Sequence, residues 1–239
     1  MNIPTYLSVI IPLHNEERRL ERCLDLLKPE LACYKHEIIL VDNASLDQTP
    51  TMVDLASQVY PSVTAIHLKQ RGKGLAVRTG MLTAKGRYRY MCDVDLSTPA
   101  CEIHRFLEFA RQYDVVIGSR EVAPETTHTD SKRRFMGRVF HNLVSDLAPD
   151  VKDTQCGFKM FRDYAARTIF ENVSITGMAF DVEAIYLARL YGYSVIEIAV
   201  PWTHDADSRV NVVGDSLEML WDVSQIKLVH GHALRHVLL

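Results

Sequence analysis

Asp93-Val94-Asp95 follows an apolar run, Tyr88-Arg89-Tyr90-Met91-Cys92, and sets two carboxylates one residue apart where a strand should end. Such a pair can share a divalent cation, a hard ion that takes oxygen ligands and completes its shell with phosphate oxygens. A metal there would neutralise a leaving diphosphate, the electrostatic task in sugar transfer from a nucleotide. The same residues could equally form a solvated strand-to-loop turn, so the weight falls on their neighbours. Asp42 follows the run Glu37-Ile38-Ile39-Leu40-Val41 and could accept hydrogen bonds from a base or ribose, or make a turn with Asn43 and Ser45. Lys73, between Gly72 and Gly74, could reach a phosphate or stand in a solvated turn. Neither G-x-x-x-x-G-K-S/T nor G-x-G-x-x-G occurs, so a nucleotide would be held without those motifs.

The elements that must position these residues read as alternating strands and helices. Leu7–Pro12, Glu37–Val41, Val63–Leu68, Tyr88–Cys92 and Val115–Ile117 are short, β-branched apolar runs ended by proline or polar residues. Helical patterns follow from Asn15, from about Asp47, and from the Arg71–Gly74 segment through Val77 and Met81. This alternation predicts βαβ units and a mostly parallel central sheet flanked by helices, with ligands beyond the carboxyl ends of the strands. His14-Asn15-Glu16, Asp42, Arg71–Gly74, Asp93–Asp95 and Arg120 all fall at that edge. The second half is less regular. Glu121–Ser131 and Thr203–Gly214 read as polar loops, the first of them mobile. Lys132–Ala148 reads as an amphipathic helix, in the core or lying in a membrane interface. Asp181–Tyr191 reads as a helix and Val195–Val200 as a strand.

The chain has 239 residues, 47% hydrophobic and 24% charged, the balance of one folded domain rather than a disordered or fibrous chain. Its 27 Lys and Arg against 30 Asp and Glu give a net charge of −3, which provides no global basic field for nucleic acid. Five cysteines without a CxxC pair, and no secretory leader ahead of them, predict reduced thiols in a cytosolic compartment. No apolar stretch approaches the roughly 20 residues of a membrane span. His230, His232 and His236 read as solvated residues of a fraying helix, although the last two have the spacing of metal ligands. Cys156 has no histidine beside it to make it a nucleophile, and Trp202 and Trp221 read as packing residues.

Several motifs in order carry a resemblance. Ser8–Glu17, Val41-Asp42-Asn43-Ala44-Ser45-x-Asp47, Arg71–Gly74, Asp93–Pro99, Gly118-Ser119-Arg120, Asp153–Lys159 and Ala179–Glu183 resemble the inverting family-2 glycosyltransferases of GT-A fold. Within them the chain looks most like the dolichyl-phosphate glucosyltransferase branch, with the mannosyltransferases next, over residues 6–225. That resemblance implies a single GT-A domain over 1–239. It places the nucleotide donor at Pro12, His14, Glu16, Val41 and Asp42, with Asn15, Lys73, Asp93 and Val94 in the same donor set. It places Mg²⁺ or Mn²⁺ at Asp93 and Asp95, with Ser97 where mannosyl relatives carry a glutamine ligand. Arg120 matches an arginine near the donor diphosphate or acceptor phosphate. Arg133 or Arg134, and Arg209, match basic positions for the acceptor phosphate. Asp153 matches an acidic residue near the anomeric carbon, and is otherwise a helix cap or the partner of Lys152 or Lys159. Asp95, Arg120 and Asp153 form the implied catalytic set. His14 stands in place of a commoner tyrosine, and Asn43-Ala44 in place of Asp-Gly.

The chemistry suits a phosphate acceptor, because a polyprenyl phosphate is already ionised near neutral pH and needs no strong general base. What remains for the protein is alignment and charge neutralisation. The expected reaction is inverting, metal-dependent transfer of a hexose, glucose from UDP-glucose first, to a polyprenyl or dolichyl phosphate by a protein peripheral to the cytoplasmic face of a membrane. GDP-mannose is the second donor. A glycosyltransferase with a soluble hydroxyl acceptor and a non-catalytic nucleotide-sugar-binding module are the rivals.

Overall fold

A computed structural model describes residues 4–120, 144–203 and 214–231. Its strands are β1 (Leu7–Leu13), β2 (His36–Asn43), β3 (Val63–Leu68), β4 (Tyr88–Met91), β5 (Val115–Ser119), β6 (Lys159–Arg162) and β7 (Val195–Ala199). Its helices are α1 (Leu20–Leu31), α2 (Thr49–Val59), α3 (Lys73–Thr83), α4 (Glu102–Ala110), α5 (Asp163–Asn172), α6 (Phe180–Leu190) and α7 (Gly214–His230). One sheet takes the order β3-β2-β1-β4-β6-β5-β7. All neighbours run parallel except around β6, which is antiparallel to both β4 and β5.

Strand periodicity divides the core into two layers. Val9, Ile11 and Leu13 of β1 face α1, α2 and α4, packing with Leu24, Leu27, Val53 and Phe106. Ile10, between them, faces the opposite layer of α3, α5, α6 and α7, with Val77, Met81, Ile169 and Phe180. Because α1 and α2 lie on one face and α3 on the other, the chain order reverses between β1 and β4. A crevice opens at the carboxyl ends of the two strands where successive connections part to opposite faces, and open α/β sheets bind ligands there.

The expected α/β architecture and the first five strands are present, with three local differences. The α1 helix begins at Leu20 rather than at Asn15. The backbone N–H groups of Asn15, Glu16 and Glu17 are instead taken by Ser45 Oγ, Thr49 Oγ1 and Asp47 Oδ2, which ties the loop after β1 to the loop after β2. The four-residue β6 gave no strand signal, since Lys159 and Arg162 at its ends break the apolar run. Of the 132–148 segment, residues 132–143 lie outside the described residues, while Val144, Leu147 and Ala148 are buried in the α3/α5 layer. The loop expected over 121–131 and residues 204–213 of the later one also lie outside them. No helix among the described residues is long and apolar enough to cross a membrane.

Candidate active site

The polar residues at the carboxyl edge are held by turns of unusual backbone. Asn15 (φ 57°), Ala44 (φ 54°) and Leu96 (φ 47°) take the left-handed conformation just beyond β1, β2 and β4. A side chain there costs on the order of 1–2 kcal/mol unless, like asparagine, it bonds locally. Asn15 does so, its Oδ1 accepting from Leu46 N at 2.8 Å. Asp42 is buried and makes the turn with Ser45, whose N–H donates to Oδ1 at 3.1 Å, while Oδ2 lies 3.2 Å from His67 Nδ1. His67 Nε2 reaches Asp54 at 2.9 Å. The hydrogen bond to Asp54, then that to Asp42, raises the His67 pKa against partial burial. His14 Nδ1 lies 2.9 Å from the Asn43 carbonyl oxygen, and Pro12 is half-buried at the end of β1.

Two donor-set residues do not offer their side chains as expected. Val41 is fully buried, because strand alternation points it at α3, and only its backbone is left to meet a ligand. Lys73 does not reach outward from a glycine loop. Its ammonium lies 2.8 Å from Asp93 Oδ1. The flanking glycines are needed for close backbone approach: a Cβ at Gly72 would stand 2.6 Å from the Thr176 carbonyl oxygen, and one at Gly74 would stand 2.4 Å from that of Ile175. The N–H groups of Gly74 and Leu75 donate to Gly177 and Thr176 carbonyls, so this helix start is occupied by the chain itself.

Deeper in the edge runs a row of ion pairs. After Lys73–Asp93 comes Lys159–Asp181 at 2.5 Å, with side chains 1% and 4% exposed, then Arg120–Asp153. Arg120 donates from Nε at 2.6 Å and from Nη2 at 2.7 Å to the two oxygens of Asp153, and its backbone N–H adds a third bond at 3.0 Å. Asp153 is therefore the partner of Arg120, not of Lys152 or Lys159, and it caps no helix. Glu197 of β7 fixes it from behind by accepting the N–H groups of Lys152 and Asp153. Burial opposes ionisation of Asp93, but Lys73 first, then Lys159 and Arg120, outweigh it and hold its pKa below the usual carboxylate range. Burial likewise opposes the Lys73 ammonium, and Asp93 then Asp181 outweigh it, so its pKa is raised. For Asp181 burial wins over Lys159 and Lys73, and its pKa is raised.

In the sequence Lys159 stands only as a candidate partner of Asp153, and Asp181 only as the start of a helix. Their signal was a charge inside an apolar stretch, Phe158-Lys159-Met160-Phe161 and Phe180-Asp181-Val182, which burial obliges to find a partner. Lys159 also donates to the Cys156 carbonyl oxygen, and a Cβ on Gly157 would lie 1.9 Å from Asp93 Oδ2. The 153–157 loop thus locks against both Arg120 and Asp93. A second buried carboxylate, Glu183, accepts from Ser174 N, Ser174 Oγ and Ile175 N and meets His230 Nε2 at 2.7 Å. It anchors the segment that packs on Gly72 and Gly74. His230 is accordingly buried rather than solvated, while His232 and His236 lie outside the described residues. Trp202 is half-buried with the Arg120 guanidinium 5.8 Å from its ring centre, whereas Trp221, expected to pack, is 68% exposed. All five thiols are unpaired, and burial pushes Cys156 up to about 11 and Cys23 to about 12.

Asp95 stands apart from this row. With Asn15, Glu16 and Val94 it lines a cleft of about 230 Å³ at the β1/β4 crevice. Its Oδ1 accepts from the backbone N–H of Ser97 at 3.0 Å. No group of three or more His, Cys, Asp or Glu among the described residues is arranged to hold a metal. Two carboxylates, each with one oxygen taken by a bond within the protein, fit a hard cation that draws its other ligands from a substrate, and not a closed structural metal site. Arg133, Arg134 and Arg209 lie outside the described residues.

The family model for Glycosyl transferase family 2 matches residues 8–170. The dolichyl-phosphate beta-glucosyltransferase of Dictyostelium discoideum is 35% identical over 93% of this chain and 74% of its own length. The human protein of that name is 32% identical over 93% of this chain and 75% of its own. Among solved structures, glucosyl-3-phosphoglycerate synthase of Mycobacterium tuberculosis superposes with a TM-score of 0.69 at 14% identity, covering 93% of this chain and 80% of the other. The same enzyme in complex with Mn²⁺ and UDP-glucose gives 0.67 at 14% identity, covering 92% and 79%. At that identity the likeness speaks for the GT-A fold alone.

Proposed function

The chain belongs to glycosyl transferase family 2 and is a glycosyltransferase, and from that premise we propose that it transfers glucose from UDP-glucose, with inversion, to the phosphate of a dolichyl-type lipid. The observation that carries the reading is Asp93-Val94-Asp95 at the carboxyl end of β4, with Asp93 held ionised by Lys73 and Asp95 open to the crevice. The names borne by the relatives support the sugar and the lipid. Asp93 and Asp95 would hold Mg²⁺ or Mn²⁺, which supplies positive charge at the leaving diphosphate when bound. The chain works as a peripheral protein at the cytoplasmic face of a membrane, where both substrates meet.

The chain's own groups fit a transfer that needs no strong base. The lipid phosphate arrives ionised, so the site must orient it and balance its charge. Arg120, with its side chain 34% exposed, is aligned by its two-pronged bond to Asp153 and keeps its remaining N–H donors for a phosphate. Asp153, with both oxygens committed, positions Arg120. Arg133, Arg134 and Arg209 are further candidates for the same anion. Asp181, which accepts from Lys159 at 2.5 Å, is committed to that ammonium and not poised as a base.

A donor panel tests the proposal. Purified protein, Mg²⁺ or Mn²⁺ and a short polyprenyl phosphate are mixed in turn with UDP-glucose, GDP-mannose and other nucleotide sugars, and glycolipid is followed. Glucosyl-lipid from UDP-glucose alone, lost with EDTA, is the expected outcome. Mannosyl-lipid, or glucosylation of a soluble hydroxyl without lipid, would overturn it.

A further inference from the structure

We infer that Arg18 and Arg22 make the Asp95 cleft a phosphate-binding subsite, separate from the row of ion pairs and assigned no role above. The cleft lies between the turn after β1 with the start of α1 on one side, and Val94-Asp95-Leu96 on the other. That is the reversal point of the strand order. Arg18, Arg19 and Arg22 line it against Glu16 and Asp95, three positive charges against two negative. Arg19 lies 3.2 Å from Glu16. Neither Arg18 nor Arg22 makes an ion pair among the described residues.

Two physical features make this arrangement a binding device. Arg22 sits in the first turn of the 12-residue α1, with Arg18 and Arg19 just ahead of it. Cations at that end face the positive pole of the helix dipole, Glu21 of the same turn offsets part of that charge, and an anion joining the cluster is favoured there. The other cations of the inner edge are also already matched: Lys73 with Asp93, Lys159 with Asp181 and Arg120 with Asp153. Arg18 and Arg22 add two cations to the cleft that no carboxylate among the described residues matches. Guanidinium groups grip phosphate oxygens in a two-pronged geometry. At about 230 Å³ the space admits a phosphate or diphosphate group rather than a whole nucleotide sugar.

The ligand class is a phosphate ester, and the source rests on the proposed function, whose donor and acceptor both carry phosphate. The nucleotide diphosphate and a lipid headgroup are separated by experiment. The variant R18A/R22A is compared with wild type and with K35A/K85A, which removes two exposed charges from the turns before β2 and β4 at the opposite sheet edge. UDP binding is read by calorimetry with and without Mn²⁺. Lipid binding is read by flotation with phosphatidylcholine vesicles carrying phosphatidic acid.

R18A/R22A should lose about tenfold in affinity for one probe, the scale of a charge-assisted hydrogen bond, with an unchanged melting temperature. Loss for UDP assigns the nucleotide, and loss for vesicles assigns the headgroup. Both affinities unchanged, or an equal loss in K35A/K85A, overturns the subsite. Glucosyl transfer is scored in the same wild-type preparation. An active enzyme with no arginine dependence sinks the subsite alone, and arginine-dependent binding without transfer sinks the functional reading alone.

Discussion

Asp93 and Asp95 are one residue apart in sequence and occupy opposite electrostatic settings. Asp93 is half-buried, with the Lys73 ammonium at 2.8 Å on one oxygen and Gly157 beside the other. Asp95 is exposed, bonded to a single backbone N–H, and shares its cleft with arginines. A motif that reads as two equivalent ligands is therefore divided: a lysine of the protein holds one oxygen of Asp93, while Asp95 meets only a backbone N–H. The same division runs along the whole edge. The inner row balances its charge within the protein, while the outer cleft carries charge in excess.

The inner row is where removal of one charge should cost most. Lys159→Met leaves Asp181 buried without its cation and frees the Cys156 carbonyl, and should destabilise by about 3–5 kcal/mol in urea denaturation. Adding Asp181→Leu should recover more than half of that loss. If K159M alone is neutral, the row is not held by its ion pairs.

Glu183 supports the row from behind, through the segment packed on Gly72 and Gly74. Burial pushes its pKa up, but His230, then Ser174 and Ile175, overcome that and lower it. A depressed carboxylate contributes stability that is present above its unfolded pKa and lost as pH falls through the folded one. Glu183→Gln should therefore cost about 1–3 kcal/mol at neutral pH. The gap to wild type should close as pH drops below about 4. A gap constant across that range would mean the carboxylate is held by shape and not by charge.

Ala44 offers the smallest effect, in the outer loops. Its φ of 54° strains an alanine, and Ala44→Gly should stabilise by about 0.5–1 kcal/mol by thermal melting. A loss of stability would show that the alanine methyl makes contacts that outweigh the strain.

The outer half of this comparison was the legible half. Leu7–Leu13 and His36–Asn43 are apolar runs that end at proline or aspartate, and in a parallel sheet each strand end is by geometry part of the ligand edge. Local patterns thus placed Asp42, Asp93 and Asp95. The start of α1 was misplaced because the N–H groups of residues 15–17 bond to residues some 30 positions away, which no local window contains. The inner row is built from such pairings throughout. Arg120 meets Asp153 and Lys159 meets Asp181 across loops, and Glu183 meets His230 across 47 positions. A charge inside an apolar run needs a partner once buried, and only the fold decides which.

The division between the two carboxylates is tested most directly by parallel measurement of Asp93→Asn and Asp95→Asn, scoring glucosyl-lipid formation from UDP-glucose and melting temperature together. Asp95→Asn should keep the wild-type melting temperature and lose at least about a hundredfold in turnover, the scale of one removed electrostatic contact at a reacting group. Asp93→Asn should lose turnover and also melt earlier, because Lys73 is left without its partner. Equal melting temperatures with equal activity losses, or an active Asp95→Asn enzyme, would contradict the account.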